Sequence, residues 1–293
     1  MPTALRGHAN ALGVQGARPR KAVGMAPENQ AVTVHQAGRA HFHQRQTSGV
    51  PVPDRRLHRG PHPDDARLFA PAMLPPLQSA VSDLAWLLGR GYASVSGLKI
   101  VGDRYALRER QRIAVARCAC SDEARERRER SRTELADLAG RCLFIDGYNV
   151  LTSIEAALAG GVILHARDGC YRDMASVHGT WRKVRETIPA AELIGNFLAE
   201  MRAAHAVWHL DRPVSNSGRL KTILREIAEA HNWPWEIRLV PDPDKILRLT
   251  DELVATADSG IVDECNRWVN LARAAIELKV PSANVVDLTG CAG

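Results

Sequence analysis

Asp146, Asp211 and Asp258 each stand where a short apolar run ends: Cys142–Ile145, Ala206–Leu210 and Leu253–Thr256. Asp263 follows five residues after the last of them. If those runs are neighbouring strands of a parallel sheet, their acids meet at the rim where open α/β sheets place their sites. Like charges gathered there are costly unless protons are shared or a cation neutralises them. Mg2+ or Mn2+, which prefer oxygen ligands and keep bound water, suit such a set. The chemistry that follows is activation of water and stabilisation of developing charge in phosphodiester cleavage. Asp146, Asp258 and Asp263 are the expected metal ligands, and Asp211 completes the catalytic set.

Each acid also has a plainer role. Asp146 before Gly147 can simply end a strand, and Asp211 can serve as a capping acid. Asp258 precedes a helix-starting Ser259, a capping position, and Asp263 can complement that helix's dipole. Asn149 is either a turn residue or part of the site wall. Glu155, on the helix after Asp146, is a further possible ligand. Ser215-Asn216-Ser217-Gly218 follows the second run directly, and hydroxyls and free N–H groups at a helix start make a common anion pocket. With Arg219 and Lys221 behind them they are expected to hold phosphate; plain N-capping is the alternative. Within 160–188, Arg172, Asp173, His178 and Arg182 can either reach over the site or form surface ion pairs on a structural hairpin.

The elements that must position these residues follow from periodicity. Strands are expected at Cys142–Ile145, Ala206–Leu210, Glu236–Val240, Leu253–Thr256 and Val285–Leu288. Helices are expected at Ala190–Ala204, Gly218–His231, Pro243–Arg248 and Ser259–Lys279. Such alternation argues an α/β fold, a parallel sheet with helices on both faces in three layers. Residues 160–188, polar and glycine-rich, read as a hairpin-like insertion.

Upstream the character changes. Residues 1–62 are rich in Gly, Pro, Gln and Arg and hold too little apolar surface to offset chain entropy, so disorder is expected. Their scattered histidines (His35, His41, His43) are read as incidental. Residues 63–120 form a small basic helical domain, with a helix from Leu77 ended by Gly89 and Gly91, a short helix or turn over Ala93–Val101, and a second helix over Arg104–Ala119. Residues 121–140 open with alternating charges and no apolar face, which predicts a solvated helical linker. Residues 141–293 are the α/β domain.

Charge divides the same way. Residues 1–140 carry 22 Lys/Arg and 13 Asp/Glu, whereas residues 141–293 carry 17 and 20. A basic part beside a part that concentrates carboxylates suits a polyanion partner, though a merely solvated basic surface gives the same count. No apolar run is long enough to span a bilayer, and the N-terminus lacks the apolar core of a secretory signal. A cytoplasmic protein without a membrane partner is expected. The six cysteines show no CxxC pair, so they read as reduced and without a metal role.

"FIDGYNVL" resembles the opening strand of NYN/PIN-type nucleases, and "ATADSGIVD" resembles their later strand with its two spaced acids. From about residue 62 the chain resembles a two-part family, domain of unknown function 434 followed by a PIN-like domain. "DGYNVLTSIEAAL", "DGCYRDMASVHGTWR" and "LDRPVSNSGRL" look like that family's blocks. The resemblance implies a PIN-like α/β/α fold, an acidic Mg2+ or Mn2+ site and an RNA-directed hydrolase. It makes Asp146 the first-strand acid, Asp258 the later-strand acid and Asp263 its companion. The usual helix acid has no clear match; Glu155, Asp173 or Glu192 are the substitutes available. The expectation is a metal-dependent ribonuclease, with a non-catalytic RNA-binding or scaffold protein as the alternative and a homodimer possible. A phosphatase or nucleotide hydrolase fits less well, because position 148 is Tyr where aspartate-nucleophile phosphatases carry a second Asp, and no Walker-type loop occurs.

Overall fold

The structure, a computed structural model, describes residues 59–175 and 179–290. The expected disordered extension, with its histidines, lies outside the described residues up to position 58, and so does His178. Eleven α-helices are described: α1 (Asp65–Leu68), α2 (Leu74–Gly89), α3 (Ser94–Arg104), α4 (Glu109–Cys118), α5 (Asp122–Ser131), α6 (Gly147–Leu158), α7 (Thr187–Glu200), α8 (Ser217–His231), α9 (Pro243–Leu249), α10 (Ser259–Val262) and α11 (Leu271–Lys279). Eight strands accompany them: β1 (Cys142–Asp146), β2 (Val162–His165), β3 (Tyr171–Asp173), β4 (His205–Asp211), β5 (Trp235–Val240), β6 (Leu253–Ala255), β7 (Trp268–Val269) and β8 (Asn284–Asp287).

Five of the strands form one parallel sheet in the order β5-β4-β1-β6-β7. The chain builds outward from β1 through β4 to β5, then returns to the other side of β1 for β6 and β7. The crevice between the ends of β1 and β6 is therefore the topological switch point, where such sheets bind ligands. Alternation along the strands makes two faces. Leu143, Ile145, Trp208, Leu210, Leu253 and Ala255 join the large core with α6, α7, α8 and α11. Phe144 and Val254 point the other way, into a smaller core with Leu247, Ile261 and Trp268. At the start of α6, Gly147 lets the helix pass close to β4: a Cβ there would lie 2.9 Å from the His209 carbonyl oxygen.

A second sheet, β3-β2-β8, pairs β2 antiparallel to β3 and parallel to β8. The hairpin-like insertion is thus real strand structure, and the expected strand near Val285 belongs to this sheet rather than to the main one. Val162, Leu164, Val286 and Leu288 share a core with Leu77, Leu84, Val101 and Val115 of α2, α3 and α4.

Three further expectations are corrected. The long helix over Ser259–Lys279 is broken by β7, because Trp268 and Val269 are buried and pair with Val254 and Ala255. The helix over Arg104–Ala119 is interrupted at Ala106, which adopts a positive φ of 49°. The stretch opening the linker is docked rather than solvated: Arg128 on α5 is 4% exposed, and the Trp268 indole donates to its carbonyl at 2.8 Å. Among the described residues no helix is long and apolar enough to cross a membrane.

Gly195 on α7 lies directly against the Trp233 ring, so a Cβ has no room there. Gly195→Ala is expected to cost about 1–3 kcal/mol through overpacking, read as a lowered midpoint in urea denaturation.

Candidate acidic site

The five-residue strand β1 delivers Asp146 to the rim as the residue preceding α6. Its carboxylate keeps some solvent access but is walled in by protein. The Thr256 hydroxyl, just past β6, donates to it at 2.8 Å, and the backbone N–H of Asp258 donates to that same hydroxyl at 3.0 Å. Thr256 therefore couples the ends of the two strands across the switch point. Asp258 caps α10, accepting from Gly260 N–H at 2.8 Å and Ile261 N–H at 3.2 Å through one oxygen. The capping and functional readings of Asp258 are compatible, since its second oxygen takes no part in the cap.

Burial pushes the Asp146 carboxyl up to about 8, reinforced by the charges of Asp258, Asp244 and Asp211. Burial also pushes Asp211 up to about 6, with Asp244 and Asp242 adding to it. The charges of Asp258 and Asp211 thus both bear on Asp146. Asp244, in the first turn of α9, is a fourth member that the sequence reading passed over. The signal was present: β5 ends in Val240, and Asp242-Pro243-Asp244 follows. Pro243 at the helix start and Asp242 capping Lys245 N–H at 2.9 Å bring Asp244 onto the rim. Arg248, one turn further, lies 3.8 Å from it as the nearby cation.

Asp263 does not join this group. Arg128 grips it through two bonds of 2.8 and 2.9 Å, and Arg127 adds a third at 2.9 Å. Arg172 does not reach over the site as a free cation. It is buried, holds Asp168 with two bonds of 2.9 and 2.7 Å, and donates to the Ala257 carbonyl at 2.7 Å. Asn149 accepts from the N–H of the same Ala257 at 2.8 Å. The peptide between Thr256 and Asp258 is thus clamped from both sides, and Asn149 and Arg172 shape the site from behind. Asp168, which sequence reasoning did not single out, is paired with Arg128 as well as Arg172. Those arginines hold its carboxyl well below the usual range against its burial.

The other candidates are committed elsewhere. Glu155 is fully buried between Arg59 and the Thr187 hydroxyl. Asp173 accepts from Ser153 at 3.0 Å and from Ala175 N–H at 2.7 Å. Glu192 faces His231 on α8 at 4.0 Å. In the Ser215–Gly218 stretch, Asn216 has a φ of 68° and no capping bond from its side chain. Its amide donates instead to the Trp181 carbonyl at 3.0 Å, and Trp181 N–H donates to Ser215 O at 3.0 Å. Ser217 donates to Arg212 O at 3.3 Å. This stretch ties down residues 179–181. Arg219 stays exposed behind it and Lys221 partly so.

The rim's donors are carboxylate oxygens, the ligand type for Mg2+ or Mn2+. Among the described residues no three His, Cys, Asp or Glu side chains stand close enough together to hold one ion. A pair of carboxylates with retained waters is the arrangement Mg2+ commonly accepts, and the donor set fits that form.

These features define an α/β protein with a five-stranded parallel sheet flanked by helices and an acidic rim at its switch point. Two family models match the chain: "Protein of unknown function (DUF434)" over residues 76–130 and "Domain of unknown function (DUF5616)" over residues 135–274. A protein of the archaeon Methanocaldococcus jannaschii, described as uncharacterized, is 33% identical over 190 residues, 65% of this chain and 90% of that protein. The chain belongs to that protein's family, and within it the DUF434 segment precedes the DUF5616 domain. No solved structure matches.

A raised carboxyl favours the folded state at low pH, and that advantage is lost as pH rises from about 4 through about 8. Asp146→Asn is therefore expected to be the more stable protein at pH 8–9 by on the order of 2 kcal/mol, a figure reduced for the residue's remaining solvent access. The difference should vanish near pH 4. Thermal melts of both proteins across that range check it. Arg128→Ala, which strips buried Asp168 of one cation, is expected to cost about 3–5 kcal/mol in the same melts.

Proposed function

We propose that the protein is a Mg2+- or Mn2+-dependent ribonuclease working at the rim between β1 and β6. The observation that carries this reading is the coupling of Asp146 and Asp258 across the switch point through the Thr256 hydroxyl, where burial and neighbouring acids raise the Asp146 carboxyl. Crowded acids that keep their protons toward neutral pH give them up to a divalent cation that binds in their place. The resemblance of "FIDGYNVL" and "ATADSGIVD" to PIN-type nucleases supports the same chemistry. Asp146 and Asp258 would hold the ion, with Asp211 and Asp244 behind them. The bound ion would supply a more acidic water and stabilise charge on the scissile phosphate. Thr256 fixes the rotamer of Asp146, and the clamp of Asn149 and Arg172 fixes the loop that carries Asp258. Arg219 and Lys221 lie after β4, on the rim side of the sheet, and serve as phosphate contacts.

A second reading, a non-catalytic RNA-binding protein on the same fold, is favoured by two observations. No three acidic, His or Cys side chains converge among the described residues, and Glu155, one substitute for the absent helix acid, is spent on Arg59 and Thr187.

Incubation of the full chain with a panel of RNAs and Mg2+ or Mn2+ tests the proposal. Cleavage is expected, abolished by chelator and reduced by at least about 100-fold in Asp146→Asn. In thermal melts, excess Mn2+ should raise the midpoint of the wild type and leave Asp146→Asn unmoved. RNA binding without cleavage under every condition would establish the second reading instead.

A further inference from the structure

The helical region before the sheet carries a basic excess, with 8 Lys/Arg against 5 Asp/Glu over residues 63–120. Most of these cations are already committed. Lys99 and Arg112 share Asp103, Arg104 pairs with Asp83, Arg110 with Asp65, Arg67 with Asp64 and Arg117 with Asp173. Arg90, at the end of α2, has no carboxylate partner among the described residues. Its guanidinium lies 3.5 Å over the ring of Trp86 and donates to the Trp86 carbonyl at 3.4 Å.

Trp86 is 55% exposed despite that contact, and Tyr92, in the turn after α2, is 51% exposed. Gly91 lies between Arg90 and Tyr92 with a φ of 78° and open space around it. Val95 and Ile100 on α3 are also exposed. Large aromatic rings exposed here are not explained by the core, which this region completes with Leu77, Leu84, Val101 and Val115.

We propose that this face, Trp86 and Arg90 with Tyr92, is a stacking platform for single-stranded RNA. The proposal rests on the RNA reading above but not on its catalytic part. A base laid on the other face of Trp86 would leave the indole stacked between it and the Arg90 guanidinium. Aromatic rings serve every base alike, and a cation–π partner adds to the stack. Charge complementarity selects this occupant. The segment's excess of cations attracts a polyanion and repels a second copy of the same face. Because most of its other cations are paired, stacking rather than phosphate contact supplies the larger share of its grip.

The test uses the full chain, chelator, and a short fluorescein-labelled single strand of 2′-O-methyl RNA, which separates binding from cleavage. Trp86→Ala is expected to weaken binding by about 10–100-fold, whereas Trp86→Phe keeps most of it because a π-face remains. Arg90→Ala is expected to lower the log–log salt slope by about 0.7, one single-strand phosphate-equivalent charge. Circular dichroism of Trp86→Ala should match the wild type, since the side chain is more than half in water. Unchanged affinity in Trp86→Ala overturns the proposal. So does a wild-type dimer that Trp86→Ala dissociates without altering RNA affinity, which assigns the face to a second copy. Loss of cleavage in Asp146→Asn tests the acidic rim separately, because the binding assay runs in chelator on RNA that resists cleavage.

Discussion

The ion cluster around Asp168 is the constraint on which the acidic rim depends. Asp168 has no exposed side-chain surface, yet it meets two buried guanidiniums, Arg128 from α5 and Arg172 from β3. Removing such charges from water is costly, and only a full set of partners offsets it. Here the set is full. Arg172 spends its remaining N–H groups on the carbonyls of Ala257 and Arg117, and Arg128 turns to Asp263. One carboxylate thereby fixes the positions of a helix from the basic region, a strand of the small sheet and the loop that bears Thr256 and Asp258. Buried charged networks tolerate few alternative arrangements, so they specify position more than they add stability.

Acids near the switch point are thus treated in opposite ways. Asp168 and Asp263 lie on the α5 side and are saturated by arginine. Asp146 and Asp211 lie at the ends of β1 and β4, and their carboxyls rise instead. The contrast is chemical as well as spatial. A saturated acid holds structure together and has nothing left to offer a ligand. An unsaturated one keeps its proton toward neutral pH, where a cation binding beside it would displace that proton. His209, on β4 beside Phe144, supplies no compensating charge, because burial and Arg238 push it down to about 4.

Much of this was legible beforehand, and what was not had local causes. The strands β1, β4, β5 and β6 announce themselves as apolar runs, and following three of them to their ends found Asp146, Asp211 and Asp258. The fourth end was not followed, and Asp244 was missed with it. Asp263 and Arg172 were misplaced for a different reason. Their residue types suit a site, but whether an acid or an arginine is free depends on partners far away in sequence. Arg128 lies in a charge-alternating stretch whose pattern says solvent, and no periodicity reveals that Trp268 and Asp263 wait for it. β7 failed because two residues are too few to show a strand's alternation. Its burial comes from the neighbouring β6.

The pairing of β2 with β8 has a consequence for how this chain comes to be folded. Helices α2 to α4 finish their core on Val286 and Leu288, residues that leave the ribosome long after the helices themselves. Until then Leu77, Leu84 and Val115 have only part of their partners, and the early helices persist as an incomplete assembly with an apolar side open to water. Strand β8 is therefore a late clasp on the early helices. Proteolysis or premature termination near residue 284 would remove Val286 and Leu288 from that core and leave its apolar side partly open, a state prone to aggregate.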